Sequence, residues 1–569
     1  MKMKKNLGIL LFFLLLFFGQ LYIADRALFG DDVIFATFAR DHTFFYTENA
    51  HPPLPVWGDI FLTSIFSLSE RTLRLTSIIF TTLTVGLVYV FTRRFYSENV
   101  AIVAAIITGI SAWHIRASQM NSGSDGGMFT FFFCLTLFVF WLSREKKEMK
   151  YTLILGICAG LTLLSKETGF LLFVIIILYL IYEIRNNLQL QLYNTIKTII
   201  IISILAIIVF SIFPILDIIY NNHQNINAII QRADSAVIHP VLQKDYGSLF
   251  LIVYSLFKIF LWAGPLIVCM PLLLLKHSNE DNKKEINSLL YITIGVIFSF
   301  YLFLVPSNLD KTRYLMVSIP FIAILSAQGI VYATKHFQNR HWAMIGVLSV
   351  LFSVFFLIIN TDIRIISYES NENPLAQLKQ WNTNFSIPVF TETDNSGFLL
   401  NFRIFLITYV LTGILFVILF FSTRRNICTI AVILLLGLSL AYNFILAEEY
   451  GLHWTSPNYS AAIKELVVYG QEHQLKEPLY VLKNYELQYY LGDTYTQFVT
   501  TYGLSDTDPT KIAQFQQEIQ SHGGTIIFTD MPPIDRQGLL WQTINLCTRE
   551  VTILDKNIEI GYIFICDSS

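Results

Sequence analysis

The chain has 569 residues, of which 54% are hydrophobic, 15% aromatic and only 14% charged, with a formal net charge of −2. An average soluble domain is nearer a quarter charged, and single water-soluble cores stop growing at about 250–300 residues, so the apolar excess has to face lipid. The near-balanced charge points to no acidic or basic partner and leaves no footprint for nucleic acid.

Apolar stretches long enough to cross about 30 Å of hydrocarbon recur through the first 447 residues, and about thirteen spans are predicted. The first, Leu7 to Ile23, follows "MKMKK". It exceeds the usual signal-peptide core of about 7–15 residues and reads as a retained signal anchor. A cytoplasmic N-terminus then places Arg93, Arg94, "REKKEMK", "KHSNEDNKKE", "TKHFQNR" and "STRRN" on the cytoplasmic side, as the positive-inside rule requires. An odd number of spans leaves 448–569 extracytoplasmic. The expectation is an integral protein of the plasma or inner membrane, with a membrane domain over 1–447 and an outer domain over 448–569.

Three outside segments are long: Ala24 to Arg71, Asp217 to Tyr246 and Thr361 to Asn401. Loops beyond about 12–15 residues are often lids or binding loops. The first holds "LFGDDVIFATFAR". If a helix starts after Gly30, Asp31 shares a face with Ile34, Phe35 and Phe38, while Asp32 points nearer Ala36 and Ala39. An acidic residue there also suits a helix N-terminus as a simple cap. His51 follows in "HPPLPVWGD", where the prolines make a stiff extended turn. Lys166 in "LLSKETG", with Lys311 and Arg313 in "LDKTRY", falls at outer span ends. Snorkelling to the interface is the ordinary role of such cations; contact with a lipid phosphate is the functional one.

The tail changes character. "PLYVL", "TIIFTD" and "GYIFIC" read as buried strands, and "SAAIKELVVYGQEH" and "DPTKIAQFQQEIQSHG" as amphipathic helices, the second opened by Asp-Pro. A small α/β domain is predicted. Of the six Cys, Cys134, Cys158, Cys269 and Cys428 lie in or beside spans and act as small hydrophobes. Cys547 and Cys566 lie outside, in a compartment that tolerates disulfides, and a bridge closing the last hairpin is expected over two free thiols. No CxxC, HExxH, P-loop or GxGxxG is present, so no cofactor and no divalent metal are expected.

The ordered run of "GDDVIFATFA", "HPPLP", "SERTLRLTSIIFTTLTVGLVYVFTRRFYSENVAIVAAIITGISAWHIRASQ", "LGICAGLTLLSKETGFLL" and "TRYLMVSIPFIAILSAQGI" resembles polyprenyl-phosphate-dependent glycosyltransferases of the GT-C fold. The branch it is similar to holds relatives of protein O-mannosyltransferases and lipid A aminoarabinose transferases. The resemblance covers roughly the first 335 residues. It implies transfer of a sugar, hexosyl or pentosyl, from a polyprenyl-phosphate carrier to an acceptor on the outer face, with inversion. It also implies Asp31 as the base beside Asp32, His51 near the donor phosphate, and Arg313 with Tyr314 as a further donor-side pair. Relatives often carry Ser-Gln-Glu-Ala-Arg-x-Tyr where this chain has "SQMNSGSD". Gln119 is kept, the Glu and Arg are missing, and Asp125 stands nearby as a substitute acid.

Residue chemistry agrees with that implication, because displacing phosphate from an anomeric carbon needs a base for the incoming hydroxyl and cations for the departing group. The acceptor, whether protein, lipid or glycan, is left open. Two other classes fit the same features: a transporter of an amphipathic lipid or glycan, and an anchor presenting the outer domain.

Overall fold

The computed structural model describes residues 2–29, 31–44, 52–120, 126–186, 192–221, 262, 264–265, 267, 269–272, 284–301, 315–362, 382–389, 398–422, 424–482, 485–501, 508–530 and 534–568. They fall into two compact units. One comprises Met1–Ala24, Phe38–Ser349 and Thr412–Asn443; the other comprises Asp25–Thr37, Val350–Leu411 and Phe444–Ser569.

Helices dominate the first part of the chain: α1 (Lys2–Ile23), α2 (Asp31–Arg40), α3 (Leu54–Phe66), α4 (Glu70–Phe95), α5 (Glu98–Ile110), α6 (Ala112–Gln119), α7 (Gly127–Lys146), α8 (Met149–Ser165), α9 (Leu171–Asn186) and α10 (Leu192–Asn221). After them come α11 (Lys284–Ser299), α12 (Ile319–Thr334), α13 (Asn339–Asn360), the strand pair β1 (Ser386–Val389) and β2 (Phe398–Asn401), α14 (Phe402–Phe421) and α15 (Arg425–Gly451). Among the described residues eight helices are long and apolar enough to cross a membrane, or nine if α5 and α6, bent by 56°, count as one span. The thirteen expected spans include stretches outside the described residues.

Local chemistry explains these elements. Ser69 and Ser97 cap α4 and α5 by accepting the amides of Thr72 and Val100 at 3.2 and 3.3 Å. Within the spans, threonine hydroxyls donate to the carbonyl one turn back: Thr84 to Phe80, Thr108 to Ala104 and Thr162 to Cys158, each at 2.8 Å. Each such bond satisfies a polar group that hydrocarbon could not.

The C-terminal fold has α16 (Tyr459–Glu472), β3 (Leu479–Leu482), α17 (Tyr485–Leu491), β4 (Phe498–Thr501), α18 (Pro509–His522), β5 (Gly524–Thr529), α19 (Leu539–Ile544), β6 (Thr548–Asp555) and β7 (Ile558–Cys566). Its sheet runs β4-β3-β5-β7-β6. The first three are parallel and the last three antiparallel. Side chains alternate across it. Tyr480 and Leu482 pack with Ile512, Phe515 and Trp541 on one face; Leu479 and Val481 pack with Ile463, Leu466 and Leu487 on the other. The three strands and two helices expected from sequence are β3, β5, β7, α16 and α18. Strands β4 and β6 have no such signal in the sequence; they lie at the sheet edges, and much of β6 is exposed, so neither reads as a buried apolar run. Asp508 accepts the Lys511 amide at 3.1 Å and caps α18, with Pro509 in its first turn.

Candidate active site

In the second unit, Asp31 and Asp32 open α2, and the Asp32 amide donates to the Phe29 carbonyl at 3.0 Å. One difference from expectation concerns the apolar face. Phe35 and Phe38 on the line of Asp31 are buried, but so are Ala36 and Ala39 on the line of Asp32. Ile34, on the first of these lines, is only half-buried, so burial among the described side chains of α2 does not favour one line over the other.

What leads into α2 is held residue by residue. Arg26 donates from Nη1 to the Tyr450 carbonyl at 2.7 Å, and its guanidinium lies 4.6 Å from the Tyr450 ring centre. The Ala27 amide donates to Ser460 Oγ at 2.6 Å and the Leu28 amide to the Tyr490 hydroxyl oxygen at 2.9 Å. Lys464 pairs with Asp25 at 2.9 Å, and Ala27 and Phe29 belong to the hydrophobic core beneath the C-terminal sheet. Contacts within the second unit therefore hold Asp25 to Leu28, shortly before α2 begins.

Arg26 also meets His453, Nη2 to Nε2, at 3.2 Å. A guanidinium can only donate, so Nε2 accepts and the ring proton sits on Nδ1, which faces Ser456 Oγ at 3.3 Å. Burial, helped by the charges of Arg26 and Lys556, holds the His453 imidazole well below its ordinary pKa. Lys556 donates to the carbonyls of His453 and Ser456. Glu449 accepts from the Thr455 and Ser456 amides at 2.9 and 2.8 Å. These bonds form a rigid buckle where the chain leaves α15.

A second constellation lies in the first unit. Arg74 of α4 donates from Nε to the Gln119 carbonyl at 2.7 Å and from Nη1 to the Ala24 carbonyl at 2.8 Å. Gln119 Nε2 donates to the Gln20 carbonyl at 3.0 Å, Thr81 to Gln20 Oε1 at 3.2 Å, and His114 Nε2 to the Thr81 carbonyl at 3.0 Å. Helix α7 enters against this group only because residue 127 is glycine: a Cβ there would stand 2.4 Å from the Ser77 carbonyl oxygen. Two residues on, the Phe129 ring carries the Lys166 ammonium 5.8 Å from its centre. Lys166 is 3% exposed, so its head is not snorkelled into open water. Asp59 of α3 is fully buried, and its neighbour Gly58 packs on Thr76 of α4. Ionisable groups enclosed among apolar spans are functional candidates by default. Sequence reasoning does not single out Asp59, Arg74, His114 or Arg116; their signal is ionisable residues inside the apolar stretches "WGDIFL", "TLRLT" and "AWHIRAS".

Of the residues expected at the site, Gln119 and Lys166 belong to the first unit, and Asp31 and Asp32 to the second. His51, Asp125, Lys311, Arg313 and Tyr314 lie outside the described residues. Cys547 and Cys566 are joined in a disulfide.

Residues 50–214 match the family model of dolichyl-phosphate-mannose-protein mannosyltransferases. A search of curated proteins finds no match. Among solved structures, ArnT from Cupriavidus metallidurans bound to undecaprenyl phosphate aligns over 98% of this chain and 98% of its own, with a TM-score of 0.56 and 13% identity. The apo form of ArnT from the same organism aligns over 99% and 98%, with a TM-score of 0.55 and 14% identity. At such identity the likeness carries the fold: the chain is an integral membrane protein with the GT-C fold of polyprenyl-phosphate-dependent glycosyltransferases, and its residues 50–214 carry the match to the protein mannosyltransferases.

Proposed function

We propose that this protein is a glycosyltransferase that moves a sugar from a polyprenyl-phosphate carrier to an acceptor hydroxyl at the outer face of the membrane, with inversion. The observation that supports this reading most is the likeness, over nearly the whole of both chains, to an ArnT structure holding undecaprenyl phosphate. The residue chemistry is consistent with it. Asp31 takes the proton of the acceptor hydroxyl as its oxygen attacks the anomeric carbon. The carbon–oxygen bond to the phosphate breaks on the opposite face, and the phosphate departs with the bonding pair. Lys166, with His51, Lys311, Arg313 and Tyr314, holds the phosphate as its charge develops. Asp32 is secondary. The acceptor is a protein, a lipid or a glycan.

The test uses purified protein with a labelled polyprenyl-phosphate sugar and candidate acceptors. Acceptor-dependent release of free polyprenyl phosphate is the result expected. Delivery of the intact sugar lipid across a vesicle wall, with no bond broken, would replace transfer by transport.

A further inference from the structure

A separate cavity of about 330 Å³ lies where the end of α7, the start of α8, the end of α9 and the start of α10 meet, lined by Arg144, Lys147, Glu183 and Lys197 among others. This is a Lys- and Arg-rich end of the spans: Arg94 grips Glu145 there with N–H donors at 2.9 and 3.2 Å. The proposed transfer uses none of these residues.

The cavity's charge is unbalanced. Arg144 pairs with Glu183 at 2.5 Å, which uses the one carboxylate among the described lining residues. The Nε of Arg144 is buried and has no hydrogen-bond partner among the described residues. Lys147 and Lys197 likewise have no carboxylate partner among the described residues. Lys147 is also placed against its backbone preference. It ends α7 with φ at 53°, a left-handed conformation in which glycine is the low-strain choice. A lysine there carries a backbone cost that glycine would avoid.

The surroundings are those of a lipid. Met149, Leu153 and Ile157 form an exposed line along α8, and Ile196, Ile200 and Ile204 another along α10. Both lines begin at the cavity, since Met149 and Lys197 line it. Within Ile196–Ile219, of mean hydropathy 3.1, only 17% of an 18-residue apolar window is buried, so these aliphatic faces meet hydrocarbon. Close packing fixes the two helices against each other: a Cβ on Gly156 would lie 2.5 Å from the Leu205 Cβ, and one on Gly160 would lie 2.5 Å from the Val209 Cβ.

We infer that this cavity binds the phosphate head group of an acidic phospholipid, with its acyl chains lying along the exposed lines of α8 and α10. Basic pockets between spans on the positively charged side of membrane proteins recognise such head groups. A free anion would fill the cationic cavity but leave the aliphatic lines without purpose.

The full-length protein, purified in a neutral detergent, is titrated with phosphatidylglycerol, with phosphatidylcholine of the same acyl chains, and with glycerol phosphate. Thermal unfolding and native mass spectrometry give the readouts. Phosphatidylglycerol is expected to raise the melting temperature and to remain bound in the mass spectrum, while the other two do neither. The double variant Lys147→Gly, Lys197→Gln is expected to bind phosphatidylglycerol at least tenfold more weakly and to melt at the wild-type temperature without lipid, since glycine suits that φ. Equal responses to both lipids, a shift reproduced by glycerol phosphate, or unchanged phosphatidylglycerol binding by the double variant would each overturn the inference.

Discussion

Arg26 ties the segment just before α2 to the end of α15, donating to the Tyr450 carbonyl at 2.7 Å and meeting His453 at 3.2 Å. A side chain that touches no substrate can still set the rate if it fixes one that does. Arg26→Ala leaves the buried Tyr450 carbonyl without this donor, at a cost of about 1–3 kcal/mol, and loosens the entry to Asp31. Transfer kinetics are expected to show kcat falling about tenfold with the donor KM little changed, and Arg26→Lys recovering part of the loss. Hydrogen exchange of the Ala27 and Leu28 amides should rise in parallel. Unchanged kcat would make Arg26 a stability residue only.

His453 gives the second unit a pH dependence of defined sign. Its folded-state pKa lies well below the ordinary value because the ring is buried and faces Arg26 and Lys556. The unfolded state therefore binds the proton first. Its contribution to stability is fully present above pH of about 6.5 and is lost as pH falls from there towards the folded pKa. Melting of the C-terminal fold should drop between pH 7 and pH 5 by more in the wild type than in His453→Gln. A larger drop in the variant would contradict the assignment.

The Cys547–Cys566 bridge spans 19 residues of chain. Loop-closure entropy for a loop of that size is worth about 3 kcal/mol in the chain-entropy model. Paired Cys547→Ala and Cys566→Ala changes should lower the melting of the C-terminal fold and leave donor binding intact. Peptide mapping without reductant should recover the two cysteines linked; recovery as free thiols would remove the bridge from the account.

Lys166 offers a direct test of phosphate contact. Lys166→Met keeps the stem against Phe129 and removes the charge, so correct folding with a donor KM raised tenfold or more is expected, and Lys166→Arg should fall between. A wild-type donor KM in Lys166→Met would leave the residue a packing element.

Parts of this architecture were legible in the sequence because their signals are local. The runs "PLYVL", "TIIFTD" and "GYIFIC" are buried on both faces, and Asp508-Pro509 is a short-range cap, so strands β3, β5 and β7 and helix α18 follow from neighbouring residues alone. The start of α2 at Asp31 is of the same kind. By contrast, Arg26, Ala27 and Leu28 find partners more than 400 positions later, at Tyr450, Ser460 and Tyr490. No period or motif in "ADRALFG" announces that. The buried set of Asp59, Arg74, His114 and Arg116 was readable in principle, since an ionisable residue in an apolar span is costly to keep. Choosing between the two Asp residues was not, because buried residues occur on both of the lines that periodicity distinguishes along α2.

The central claim is that the carboxylate opening α2 does chemistry and is more than a helix cap. Asp31→Asn keeps the shape of the side chain and much of its capping ability while removing its capacity to take a proton. Removing a general base typically lowers the rate by about 10²–10⁴-fold, whereas removing a cap costs about 1 kcal/mol of stability and little activity. The decisive measurement is single-turnover transfer by purified Asp31→Asn, with Asp32→Asn beside it, each checked for donor binding and for melting temperature. Asp31→Asn is expected to fold, bind donor and hardly turn over, and Asp32→Asn to retain more activity; full activity in Asp31→Asn would contradict a chemical role for the carboxylate.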